Sequence, residues 1–407
     1  MNTAFIPDWI LARRDVLATP CYVYSEAVLA DSLHQLANLL PPGARIFYSL
    51  KANPQPEIAR LFHGFGVRPE IASEGELEMC LAGGVPSHDV LVGGVAKSQR
   101  FLERVCREGC YAITIDSLGE LQRLKSVSAQ AGSARLLLRV NPGIAIGGLD
   151  MGGDSQFGIS VDDAIDIVRR KDFGTHQFLG LHFYFGSQRL KPEPVVKTVA
   201  VVTEVLRQFA AANVPVRLVD VGLGCGVPYL EKDVELDLEG LKKELHALWA
   251  DPIWSGVELW SEAGRSLVAR AGSFVATVIE RKRLNGRTYV MIDGGLNVHN
   301  PGVGLGRFFK SNPCFQFAEV ANAASREKVE ICGSLCTSAD RLGAAVESPD
   351  LQPGDLVVVP NSGAYCQTTA LWGFNSQPTF SEAILGTDGQ LRQIEPQHRT
   401  FVARVAR

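Results

Sequence analysis

The sequence predicts an α/β protein whose larger part is a parallel (β/α)8 TIM-like barrel and whose end is a β-domain. Three observations predict it. Between residues 44 and 262 eight short β-type runs alternate with helix-like stretches, the connection that a parallel strand pair needs. The runs lack strict polar alternation, as strands buried on both faces do. Beyond residue 270 the helix-like stretches stop, and strand-like runs separated by tight turns take over. At 407 residues the chain exceeds one ordinary core. The expected division is an N-terminal segment (1–25) that pairs with the C-terminal β-domain, a barrel (26–270) and the β-domain itself (271–407). A doubly wound sheet competes with this reading, but no G-x-G-x-x-G follows the first barrel strand.

Taken in order, CYVYS (21–25) is strand-like, and Ser25 can cap a helix whose Leu29, Leu33, Leu36 and Leu40 recur at helical spacing until Pro41, Pro42 and Gly43 stop it. The eight barrel runs are ARIFYSL (44–50), VRPEIAS (67–73), DVLVGG (89–94), YAITID (111–116), ARLLLRV (134–140), FLGLHFYFG (178–186), VRLVDVG (216–222) and GVELWSE (256–262). After them FVATVIERKRL, RTYVMIDGG, KVEICGS, DLVVVPNSG and TFVARVAR read as strands, with turns such as Asn285-Gly286 and Pro353-Gly354 between.

Composition narrows the function classes. The chain is 46% hydrophobic and 21% charged with a formal net charge of −4, which supplies no field for a nucleic-acid partner. No window reaches about 18 uninterrupted apolar residues, and the start lacks the pattern of a signal peptide. A cytoplasmic protein that touches neither membrane nor nucleic acid is expected. The nine cysteines are odd in number and scattered, which fits reduced thiols. Cys106 and Cys110 stand one helical turn apart, but no histidine or second pair follows at zinc-ligand spacing, so no metal is expected.

In this fold the chemistry sits at the C-terminal ends of the barrel strands. That rim is unusually polar: Lys51 after the first run, Glu70 and Ser73 at the second, Asp116 after the fourth, Arg139 in the fifth, Tyr184 and Ser187 after the sixth, Glu262 and Arg265 after the eighth. Each taken singly reads as a cap or a solvated charge. Together with DVGLGCGVPY, where Gly222, Gly224 and Gly226 alternate after the seventh run, they read as a site. Loops after the seventh and eighth strands are this fold's usual phosphate site, where glycines admit backbone N–H groups and Arg265 adds a forked cation. A lysine for an aldehyde, a cradle for a phosphate and an acid for a ring nitrogen suggest pyridoxal 5'-phosphate. Lys51, the Gly222/Gly224 turn with Arg265, and Glu262 fill those places.

Ten stretches in order carry a resemblance over nearly the whole chain: YSLKAN (48–53), EIASEGEL (70–77), RVNPG (139–143), SQFGIS (155–160), HFYFGSQ (182–188), DVGLGCG (220–226), SEAGR (261–265), DGGLN (293–297), CGSLCTSAD (332–340) and SGAY (362–365). With them the chain resembles the fold-type III pyridoxal phosphate decarboxylases, the family of diaminopimelate and ornithine decarboxylases, which have an alanine racemase-like barrel. The resemblance implies Lys51 as the Schiff-base lysine and Glu262 on the ring nitrogen. It also implies Arg265, Gly222, Gly224 and Ser187 around the phosphate, with Glu70, Arg139 and Tyr184 lining the cofactor site. It further implies a homodimer in which Cys336 and Tyr365 enter the partner's site and Cys336 returns a proton after carbon dioxide leaves.

The departures bear on substrate. Tyr184 stands where the family usually has a ring-stacking histidine, Leu223 interrupts the glycine triplet, Ala263 replaces a proline, and Gln156 replaces a lysine whose expected partner is Asp340. Thr337 follows the reactive cysteine where diaminopimelate and ornithine enzymes place the acid that holds a distal amine, and DGGLNVHNPG lacks an arginine for a distal carboxylate. Asn300, Thr337, Asp340 and Tyr365 are the expected substrate residues. With NPGVGLGRFF and FNSQPTFSEAIL these features look like a branch acting on siderophore intermediates or carrier-tethered aminoacyl groups. The expected function is decarboxylation of an amino acid or an intermediate derived from one, acylated and carrier-tethered forms included. A diaminopimelate decarboxylase and a non-catalytic regulator of the same fold are the alternatives, and Glu262 with Cys336 disfavours a racemase.

Overall fold

The structure, a computed structural model, describes Ile10 and residues 14–127, 132–147, 149–300, 311–318 and 326–397. It divides into two compact units. One takes Ala30–Gly226 and Leu236–Leu267; the other takes the chain up to Leu29, Val227–Glu235 and Val268–Pro396.

The first unit is a closed barrel of eight parallel strands: β2 (Arg45–Ser49), β3 (Arg68–Ile71), β4 (Leu91–Val92), β5 (Ala112–Ile115), β6 (Arg135–Arg139), β8 (Gln177–Tyr184), β10 (Leu218–Gly222) and β11 (Glu258–Ala263), which closes on β2. All eight coincide with the runs read from the sequence. A short antiparallel ribbon pairs β7 (Leu149–Asp150) with β9 (Gly186–Ser187). The crossover helices begin at side-chain caps that follow the strand ends. Ser73 opens α3 (Glu74–Ala82), Ser98 opens α4 (Gln99–Arg107), Ser117 opens α5 (Leu118–Lys125) and Ser160 opens α6 (Val161–Arg170). Each serine hydroxyl accepts a first-turn N–H that would otherwise lack a partner. The remaining helices of the barrel layer include α2 (Pro56–Gly64), α7 (Pro192–Ala211), α8 (Leu238–Trp249) and α9 (Arg265–Val268), while α1 (Glu26–Ala37) follows β1 (Cys21–Ser25).

Successive residues of a strand point to opposite faces, so the barrel lumen is filled by every second residue. Toward the strand starts these are Phe47, Leu91, Ala112, Leu137, Leu218 and Trp260, which form one buried cluster with Tyr111. Phe47 and Trp260 lie 4.9 Å apart between ring centroids. Two residues further along the same strands the side chains turn polar: Ser49, Thr114, Arg139, Asp220 and Glu262, with Glu70 on β3 and His182 on β8, all buried. The alternate parity (Tyr48, Leu136, Leu138, Leu181, Phe183, Val219 and Val221) is buried and apolar. Thus an apolar plug closes one end of the lumen and a polar layer lines the other, the end from which this fold works.

The second unit is a nine-stranded mixed sheet. Its path runs β16 (Arg341–Ser348), β15 (Glu327–Cys332), β13 (Arg287–Ile292), β12 (Gly272–Leu284), β1, β18 (Ser381–Leu385) and β19 (Leu391–Ile394), with β17 (Leu356–Val359) pairing β12 and β14 (Gln316–Ala318). CYVYS is β1, antiparallel to β12 and parallel to β18. Its core gathers Cys21, Val23, Val275, Leu356, Val358 and Ala383. β14, β16, β18 and β19 had no counterpart in the sequence reading, because they are short, charged or rich in glycine and alanine, and β16 meets β15 with two register shifts. The run TFVARVAR and the stretch 301–309 of NPGVGLGRFF lie outside the described residues.

Candidate active site

The sequence places its first functional residue just past the end of a strand. Lys51 sits in a 3-10 turn (Leu50–Ala52) after β2, and its Nζ lies 3.3 Å from Glu70 Oε2 and 5.5 Å from the centroid of the Tyr184 ring. Burial pushes the Glu70 carboxyl up, Lys51 pulls it down and Glu262 pushes it up again. Ser73 turns out to be the cap of α3, and Glu76 reaches back to accept from the Ala72 N–H at 2.6 Å, a reciprocal capping arrangement. Burial lifts the Glu76 carboxyl to about 7.

The glycine turn after β10 is a cradle that side chains would fill. A Cβ on Gly222 would stand 2.4 Å from the Tyr184 ring. A Cβ on Gly224, which has φ +69°, would stand 2.2 Å from the Gly186 carbonyl oxygen. Across from it, Arg265 at the start of α9 donates from Nε to Ser187 Oγ at 3.2 Å. An arginine, a hydroxyl and a bare backbone turn on adjacent strand ends suit a phosphate.

Glu262 closes the group. It projects from β11 into the lumen beside His182 on β8 and Asp220 on β10, and one ligand atom of each residue lies within 4.8 Å of the others. Burial pushes the Glu262 carboxyl up, but His182, Lys51 and Asp220 outweigh it and hold it down at about 2. Burial and the neighbouring Glu262 and Glu70 push Asp220 far the other way. Glu262 is therefore an ionised acid beside a neutral one. Glu262 Oε1 has no hydrogen-bond partner although it is buried, which is what a carboxylate reserved for a ligand N–H requires.

A second buried network supports the rim. Arg139 Nη1 meets Asp116 Oδ1 at 2.8 Å, and its guanidinium covers the Phe157 ring at 4.5 Å. Lys97 is buried, with Nζ 2.8 Å from Glu120 Oε1 and further bonds to the Gly93, Gly94 and Thr114 carbonyls. Glu120 also accepts from the Asp116 N–H at 3.2 Å. Arg139 is thus neutralised by Asp116, and Lys51 has Glu70 as a charged neighbour. Lys97→Met, which leaves Glu120 buried without its cation, is expected to cost about 3–5 kcal/mol of stability; denaturant unfolding measures it, and a loss below about 1 kcal/mol would refute the assignment.

The other expected residues lie in the second unit. Cys336 is the one exposed cysteine of the nine, and its N–H donates to Asn375 Oδ1 at 2.9 Å. Thr337 is half-buried beside it. Asn300 donates its backbone N–H to Cys366 and its side chain to the Thr369 carbonyl, so it joins the turn that begins at Tyr365, a residue in the left-handed region (φ 65). Strain of that kind gathers at functional positions. Asp340 is 3% exposed, and its two carboxylate oxygens accept the Leu296 N–H at 2.7 Å and the Leu335 N–H at 2.8 Å. That binding fastens DGGLN to CGSLCTSAD.

The lysine, the cradle and the acid of the barrel fit pyridoxal phosphate, and the matches with known proteins agree. The model of the family described as the pyridoxal binding domain of pyridoxal-dependent decarboxylases matches residues 27–269. The chain belongs to that family. Among its relatives, the L-glutamyl-[BtrI acyl-carrier protein] decarboxylase of Niallia circulans is 31% identical, over 90% of this chain and 88% of its own. The 2-[(L-alanin-3-ylcarbamoyl)methyl]-2-hydroxybutanedioate decarboxylase of Staphylococcus aureus is 28% identical over 88% of this chain and 92% of its own. In fold, the diaminopimelate decarboxylase of Helicobacter pylori complexed with L-lysine is similar with a TM-score of 0.83 at 23% identity, over 97% of this chain and 99% of that one.

This pyridoxal-dependent decarboxylase is a carboxy-lyase acting on amino-acid-type substrates. No helix among its described residues is long and apolar enough to cross a membrane. Sequence reasoning missed His182 and Asp220. Each stands two positions before a residue it did single out, Tyr184 and Gly222, so the strand period of two was the signal that exposes them.

Proposed function

We propose that this decarboxylase acts on an amino-acid derivative whose distal end carries no free amine, an acylated or carrier-tethered substrate. One observation carries this. In the segment Cys332–Asp340 the single carboxylate is Asp340, both of whose oxygens are taken by backbone amides, and Thr337 beside Cys336 has no charge to offer a distal ammonium. The two relatives named above support the reading, since one takes a carrier-bound glutamyl group and the other an amide-linked alanyl unit.

Within the site, bound pyridoxal phosphate supplies the electron sink that accepts the pair released as the bond to the carboxylate breaks. The protein does the rest. Lys51 offers the amine that holds the cofactor aldehyde; Ser187, Arg265 and the Gly222/Gly224 turn hold its phosphate; Tyr184 packs on its ring; and Glu262 keeps a proton on its ring nitrogen. Glu70 and Arg139 line the same layer. The test is carbon dioxide release across a panel of free and acylated diamino acids and glutamyl thioesters. Acylated or thioester substrates should exceed meso-diaminopimelate and ornithine by at least about tenfold in kcat/KM, and a preference for meso-diaminopimelate would overturn the reading.

We also propose a cytoplasmic homodimer in which Cys336, Thr337 and Tyr365 serve the partner's barrel. The exposed thiol of Cys336 supports it, as do nine cysteines without a disulfide. Mixing inactive Lys51→Ala and Cys336→Ala proteins under subunit exchange should restore about one quarter of wild-type activity, since half the dimers are then mixed and carry one intact site. No restoration would refute shared sites, and fractionation of the source cells checks the compartment.

A further inference from the structure

We propose that His182 and Asp220 are positioning residues that hold Glu262 as a carboxylate at the ring-nitrogen place, the three forming one buried unit across β8, β10 and β11. The proposal rests on the reading of Glu262 as the ring-nitrogen partner and adds residues to it. The strand register dictates the unit. Asp220 is paired with His182 across β10 and β8 and with Trp260 across β10 and β11, and Glu262 lies two residues beyond Trp260, on the same face. All three side chains are buried, and His182 Nε2 stands 3.3 Å from Glu262 Oε2.

A buried histidine or aspartate is ordinarily satisfied by backbone or by a neighbouring polar group. Here both ring nitrogens of His182 and both oxygens of Asp220 lack a hydrogen-bond partner, and the three groups lie within ligand distance of one another. His182 brings a ring nitrogen to one oxygen of Glu262 at 3.3 Å, and a neutral Asp220 brings a carboxylic acid without a second negative charge. The other charged groups that face Glu262 are Lys51 and Glu70.

A histidine, an aspartate and a glutamate at this spacing are also the donor set of a divalent cation. The two readings differ in where a proton sits. A metal needs Asp220 ionised, whereas burial among Glu262 and Glu70 keeps it protonated.

The experiment separates them. In the cofactor-free protein at neutral pH, the infrared difference between wild type and Asp220→Asn should show a neutral carboxylic-acid band belonging to Asp220, and the wild-type holoenzyme should carry less than about 0.1 equivalent of divalent metal. His182→Gln should move the acid limb of kcat, and the pH dependence of the cofactor's absorbance, upward by at least about one pH unit with KM within about twofold. His182→Asn serves if His182→Gln does not fold. Absence of the band, a stoichiometric metal, or an unmoved acid limb in the folded histidine variant would overturn the proposal. Glu262→Gln, measured alongside, keeps the two readings apart. Wild-type turnover in that variant removes the ring-nitrogen role itself, whereas a large loss there together with an unmoved histidine variant removes only the inference made here.

Discussion

Lys51→Ala is expected to abolish decarboxylation, with kcat lowered by at least about 10³-fold and the covalently held cofactor chromophore gone. The amine stands at the end of β2 against Glu70, 3.3 Å from its Oε2. Among the described residues the one buried lysine, Lys97, spends its amine on Glu120 and three carbonyls. Lys51→Arg is the companion variant. It keeps a cation beside Glu70 but offers no amine to an aldehyde, so it should be folded, should hold Glu70 close to its wild-type state and should be as inactive as the alanine form. In Lys51→Ala the burial of Glu70 loses the largest of the groups that oppose it, and its carboxyl should rise further, a change that carboxyl infrared bands of the cofactor-free protein report. A Lys51→Ala enzyme with full turnover would end the assignment.

Glu262→Gln should lower kcat by about 10²-fold or more while the cofactor still binds through Lys51 and the phosphate cradle. Only the charge is removed. Glutamine has nearly the same shape but cannot hold a ring nitrogen in its protonated form, so the loss belongs in kcat and KM should change little. The direction with pH follows from the environment. Glu262 is held at about 2, below the ordinary carboxylate value near 4.3. The stability it contributes is therefore fully present above the unfolded value and is lost as pH falls toward 2. Asp220 runs the opposite way. Its folded value is raised, so the folded state binds a proton that the unfolded chain has released, and its contribution weakens as pH rises through the unfolded value. A Glu262→Gln enzyme with wild-type kcat would remove the acid from the mechanism.

The barrel was legible because its signal is local. Each of the eight runs is bounded by a cap or a glycine-proline turn and alternates with helix-like sequence, and parallel pairing leaves few other arrangements. The β-domain was legible only in part. β12, β13, β15 and β17 are apolar enough to be read one at a time, but β16 and β19 are edge strands that pair only with β15 and β18, and β18 takes its place beside β1 some 360 residues away. Short charged strands carry little of their own pattern, and the partner that stabilises them cannot be seen from within the segment.

The site divides in the same way. By itself the sequence determined which residue types stand at the strand ends, since motif order and the period of each strand bring Lys51, Glu70, Arg139, Tyr184, Gly222 and Glu262 to one rim. It could not determine what each group does with its neighbours. That Asp340 joins DGGLN to CGSLCTSAD through two amide donors is not written in either motif. Asp116 looked like an ordinary cap until Arg139 was found on it. His182 and Asp220 looked like nothing, being hidden in apolar runs, until three strands were laid side by side. Only the tertiary structure decided these points, because the protonation state and partner of a buried group depend on desolvation and on charges a few ångströms away in space, and chain order carries no record of those distances.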